Sequence, residues 1–129
     1  SGDGLALYSQ LVSLAAAAPQ LDRSAAIRLA DSCTGKAAEA RYTATLRLIF
    51  LLLSRLARFG AMQPPGVDEA APGEARRLAR LAPDANAARR WANLAQDLSA
   101  RSGHARAVNL DPSTVILDML LKLNETAQA

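Results

Sequence analysis

A chain of 129 residues is one domain's worth, long enough to bury roughly two-thirds of its unfolded surface around a single core. Half of the residues are apolar yet only 4% are aromatic, alanine and leucine dominate, and β-branched residues are sparse, a balance that favours helices packed on helices over sheets. The net charge of +3 is too small to demand a nucleic-acid partner, and a lone Cys33 excludes an internal disulfide and fits a reducing cytoplasm.

Asp3 is a plausible cap for a first helix over about residues 4–17, with Leu5, Tyr8, Leu11, Val12 and Ala15 on one face and Pro19 beyond its end. Asp22 caps a shorter second helix whose inner face is expected to hold Ala26, Ile27, Ala30 and Cys33, with Gly35 as its left-handed stop. A third helix of roughly 34 Å is predicted from Ala37 to Phe59, stopped by Gly60. Its residues Tyr42, Leu46, Ile49, Phe50, Leu52, Leu53 and Leu56 share one side, Arg47, Arg55 and Arg58 the other. Leu51 falls among those arginines, out of place for a monomer.

Residues 60–73, with three prolines and three glycines, read as an internal surface loop. A short helix over about 73–81 follows, then a fifth from Pro83-Asp84 to about Gly103 with Trp91, Leu94, Ala95 and Leu98 inward. Asn109 to Pro112 end that helix and start the next, Asp111 as cap and Pro112 at the first position. In this last helix Val115, Ile116, Met119, Leu120 and Leu123 oppose a narrow stripe of Thr114, Asp118, Lys122 and Glu125. Leu117 and Leu121 lie outside that apolar half and, with Leu51, are candidates for burial against a partner.

Two apolar stretches imitate targeting signals. LALYSQLVSLAAAAPQ lacks a basic leader, and LIFLLL falls far short of the roughly 20 residues that span a bilayer, so neither is expected to enter a membrane. Gly35-Lys36 lacks the upstream glycine and the following Ser or Thr of a phosphate loop, and reads as a helix stop beside a solvated charge. His104 and Cys33 are each the sole residue of their type, which rules out zinc sites of conventional spacing; a core thiol and a surface imidazole are expected. The acidic residues are scattered and give no paired-carboxylate site. Arg76, Arg77, Arg80, Arg89, Arg90, Arg101 and Arg106 make the second half the more basic, but Glu74, Asp84 and Asp97 dilute them and no aromatics alternate with them, so a solvated helix face is expected. Trp91, spaced with Leu94 and Leu98, is expected to pack in the core.

The order of LDRSAAIRLADSCTGKAAEARYTATLRLIFLLLSRLARFG, a proline-rich loop and RRWANLAQDLSARSGHARAVNLDPSTVILDMLLKL resembles the C-terminal domain of the delta-prime family of DNA polymerase III clamp-loader subunits, in its alphaproteobacterial form. The resemblance covers nearly the whole chain, and ARAVNLDPSTVILDMLLKL, a last helix introduced by an Asn-containing turn, is its most specific part. It implies an all-α bundle of about five to six helices of the clamp-loader collar type. In the family this collar joins five subunits into a ring, here a hetero-pentamer with gamma/tau and delta subunits. Primed DNA and the sliding clamp would be met only through the full complex, in a cytoplasmic replication machine. The same resemblance implies that residues 1–129 are one collar domain without catalysis or cofactor of its own. A chain starting at Ser1 without Met is then expected to be part of a longer one carrying an ATPase-like module. The gamma/tau subunit carries the same collar and is the nearest alternative, although LKLNETAQA looks like a natural end and favours delta-prime. A small helical nucleic-acid-binding module using the second-half arginines is a further alternative. On the collar reading Leu51, Leu117 and Leu121 become the subunit-interface candidates.

Overall fold

The computed structural model describes residues 2–62 and 68–127. Among them the chain forms six α-helices and no strand: α1 (Gly2–Ala16), α2 (Arg23–Asp31), α3 (Glu39–Ala61), α4 (Glu74–Leu81), α5 (Ala85–Ala107) and α6 (Pro112–Thr126). The all-helical bundle expected from composition is present. No helix among the described residues is long and apolar enough to cross a membrane.

The two longest helices, α3 and α5, pack on each other as the spine. Near the end of α3, Gly60 faces the start of α5; a Cβ there would lie 2.7 Å from the Asp84 carbonyl oxygen and 3.0 Å from the Ala88 methyl. Gly60 is therefore a packing residue inside α3, not the stop expected for it, because only a bare Cα lets the backbones approach so closely. At the opposite end the helices leave a groove of about 880 Å³, bordered by Tyr42, Leu46 and Phe50 of α3 and by Ser99, Ser102 and Arg106 of α5. Helices α1 and α4 pack on α3 and on each other, while α6 lies against α5 and α2.

One continuous core joins all six helices. Leu11, Leu29, Leu52, Leu56, Leu78, Leu98 and Ile116 are among its fully enclosed side chains, each stabilising by about 1.5–3 kcal/mol. Trp91 is buried among them and donates its indole N–H to the Leu81 carbonyl at 2.8 Å. All five inward residues expected on α6 are buried.

Caps explain most boundaries. The carboxylates of Asp22 and Asp84 accept from the N–H groups of Ala25 at 3.0 Å and Ala87 at 2.9 Å, starting α2 and α5. The α5–α6 junction is a Schellman turn around Asn109, whose φ of 58° is left-handed. Leu110 N–H closes on the Ala105 carbonyl at 2.9 Å and Asn109 N–H on Arg106 at 3.3 Å. Helix α5 thus runs through exposed Gly103 to Ala107, past its expected end. Pro112 opens α6 as expected, but Asp111 does not cap it directly. Its carboxylate accepts from the Thr34 and Ser113 hydroxyls, and the Thr34 oxygen accepts from Ser113 N–H at 3.2 Å, so the cap comes from the α2–α3 connection.

Several expected positions shift. Helix α1 starts at Gly2, with Asp3 inside its first turn, where a carboxylate suits the positive end of the helix dipole. Leu5 is exposed, and Leu7 and Leu14 take part in the buried face instead. Helix α2 ends at Asp31; Gly35, with φ of 102°, precedes a 3-10 turn at Lys36–Ala38 that leads into α3. The buried face of α2 follows Ala26, Leu29, Ala30 and Cys33, a regular three-four-seven spacing, and this turns Ile27 outward. The expected loop is shorter than 60–73 because α3 extends to Ala61; its residues 63–67 lie outside the described residues.

Candidate functional site

Helices α2 and α6 pair with a shallow apolar cavity of about 290 Å³ between them, lined by Ile27 and Ala30 from α2 and by Leu117 and Leu121 from α6. Ile27 is 46% exposed, whereas Leu117 and Leu121 are half-buried, their inner parts packed on the core. The charged residues lining the cavity, Asp31 and Asp118, are both acidic. Asp118 also meets Arg101 of α5 at 3.3 Å.

Both ends of this pair are pinned. At the start of α2, Asn124 is buried, its side-chain oxygen accepting from Leu21 N–H at 3.1 Å and its amide donating to the Pro19 carbonyl at 3.0 Å. At the far end, Thr34 ties the chain after α2 to Asp111 and Ser113. A nine-residue helix holds little structure alone, so these tertiary ties set where α2 sits and hence where Ile27 lies relative to Leu117 and Leu121.

Of the three interface candidates, Leu117 and Leu121 share this cavity, and Leu51 does not line it. Leu51 stands on the outer face of α3, 42% exposed, with exposed Arg47 one turn before it and exposed Arg58 two turns after it. Ile27 was missed because its apolar character suggested burial; the spacing of its buried neighbours is the signal that places it outside.

Cys33 is enclosed, its thiol against the Leu29 carbonyl and the Thr45 hydroxyl at 3.5 Å each, while His104 is exposed on α5. Gly35 and Lys36 lie on an exposed turn. Among the described residues no group of three or more histidine, cysteine or acidic side chains is placed to hold a metal.

The enclosed carboxylate of Glu74 overturns its reading as a diluting surface charge. It takes a two-pronged contact from Arg55, at 2.7 Å to each oxygen, and also accepts from Ala70 N–H at 2.6 Å and from the Tyr8 hydroxyl. Burial alone would raise its pKa, but the hydrogen bonds from Arg55, Ala70 and Tyr8 and the Arg55 charge outweigh it and hold the carboxyl below its usual range. Burial and the Glu74 carboxylate push the Tyr8 hydroxyl the other way, well above its ordinary value. This cluster fastens α1, α3, α4 and the segment before α4, and it is not part of the walls of the cavities at α2–α6 or α3–α5.

Several of the second-half arginines also serve the fold. Arg77 donates to the Ser13 hydroxyl at 3.0 Å, and Arg80 donates to the carbonyls of Ala16 and Ala18 at the end of α1. Arg89 donates to Asn86, and Arg101 pairs with Asp97 at 2.9 Å. Arg76 and Arg106 are exposed and Arg90 half-buried.

Neither a family model, nor a curated protein, nor a solved structure matches this chain.

Proposed function

We propose that this chain is a subunit-association domain: the helical collar of a bacterial DNA polymerase III clamp loader, of the delta-prime kind. Its work would be to join neighbouring subunits for ATP-dependent loading of the sliding clamp on primed DNA, with no catalysis or cofactor of its own. The observation that carries the reading is the resemblance along nearly the whole chain, most specific in ARAVNLDPSTVILDMLLKL. The Schellman turn, the proline-led α6 and the partly uncovered Leu117 and Leu121 after it are compatible with such a role. The gamma/tau collar is the alternative within the same assembly. The nucleic-acid reading is weakened by the arginines that bind carbonyls, hydroxyls and carboxylates of their own fold.

Reconstitution of the complete clamp loader with Leu121→Asp tests the proposal. Assembly is expected to fall at least tenfold while the subunit keeps its helical circular dichroism. A folded variant that assembles like the wild type sinks it. Tight binding to a labelled duplex that weakens steeply between low and moderate salt would instead favour the nucleic-acid module.

A further inference from the structure

Among the exposed apolar side chains of the described residues, Leu51 and Ile27 sit on surfaces that differ in charge in a way that makes each the counterpart of the other. On α3, Leu51 projects between Arg47 and Arg58, an apolar knob in a basic frame. Between α2 and α6, Ile27 borders an apolar hollow whose charged lining residues are Asp31, which is exposed, and Asp118, which is shared with Arg101 at 3.3 Å. Leu51 does not line that hollow, so a single chain does not bring the two surfaces together.

We propose that the α3 knob of one copy docks in the α2–α6 hollow of a second copy, giving a head-to-tail contact in which Arg47 and Arg58 face an acidic rim made by Asp31 and by Asp118, which Arg101 of its own chain already shares. This rests on the reading above only in taking these leucines as contact residues; the occupant it names is another copy of the same chain. A head-to-tail contact is heterologous, so an open assembly keeps one knob and one hollow unfilled and grows past two until a ring closes. The apolar area is small, and interfaces below about 1,200 Å² are typically weak and transient. Association is therefore expected at high protein concentration and to weaken as salt screens the arginine–aspartate contacts.

Sedimentation velocity on the full chain, up to about 1 mM, with two single variants tests this. Leu51→Glu spoils the knob and Ile27→Lys spoils the hollow; both residues are nearly half exposed, and circular dichroism with thermal unfolding checks that each variant folds. Wild-type protein is expected to grow past the dimer with concentration, and each variant alone to stay monomeric. An equal mixture of the two is expected to form a dimer and no larger species, since Ile27→Lys keeps a good knob and Leu51→Glu a good hollow. A wild type that stays monomeric, a mixture that stays monomeric, or a wild type that stops at a dimer overturns the proposal. Capture of the same proteins by clamp-loader subunits separates the two ideas: a monomeric wild type that still assembles with them refutes self-association and leaves the collar reading standing.

Discussion

At Glu74, a carboxylate with no exposure is bonded to a guanidinium on α3, a phenol on α1 and a backbone N–H four residues earlier. Removing its charge leaves Arg55, itself only 17% exposed, without its partner in a half-enclosed site. Breaking such a pair by deleting one member is far more costly than the pair is stabilising. Glu74→Gln is therefore expected to lose about 2–4 kcal/mol of unfolding free energy in urea titrations. The same cluster sets opposite pH limits. The Glu74 pKa is lower folded than unfolded, so its contribution is present above about pH 4.3 and is lost as pH falls through the folded value. The Tyr8 pKa is higher folded than unfolded, so its contribution is complete below about pH 10 and declines as pH rises beyond it. Unfolding free energy measured against pH should lose part of its acid limb in Glu74→Gln and part of its alkaline limb in Tyr8→Phe.

At the scale of helices, two glycines predict opposite outcomes for one substitution. Glycine in a helix interior is normally worse than alanine by about 1 kcal/mol. Gly103 in α5 has open space where a Cβ would go, so Gly103→Ala is expected to stabilise by about 0.5–1 kcal/mol. At Gly60 the added methyl meets the Asp84 carbonyl at 2.7 Å, and forcing α3 from α5 is expected to cost about 1–3 kcal/mol despite the better propensity. Urea midpoints moving the same way for both variants would contradict the close approach. The contrast also shows where sequence reading succeeds. Caps at Asp22 and Asp84, Pro112 and the 3.6-residue spacing of α6 are local signals, and they placed the starts of those helices and the α6 core set correctly. Gly60 and Gly103 look alike in sequence because the backbone that distinguishes them belongs to another helix. Glu74 was misread for the same reason: its partners lie 19 and 66 positions away, and no periodicity records them. Leu117 and Leu121 were recognisable as lying off the main apolar arc, but Ile27 beside them was not.

Across the whole molecule, one core joins all six helices, with Trp91 enclosed at 1% exposure and bonded to the end of α4. A domain of this size with a single core is expected to unfold in one step. Trp91 fluorescence and far-UV circular dichroism should then give the same urea midpoint; separated transitions would mean that the α4–α5 region opens apart from the rest. The ties at Asn124 and Thr34 have a different consequence. They anchor α2 to α6 at both ends, so the surface bearing Ile27, Leu117 and Leu121 is already ordered before anything meets it. A partner docking there would give up side-chain freedom but little backbone entropy, and an ordered surface of this kind would give useful affinity from a modest contact area. Loosening either end, without touching a single contact residue, would pass that ordering cost on to every binding event.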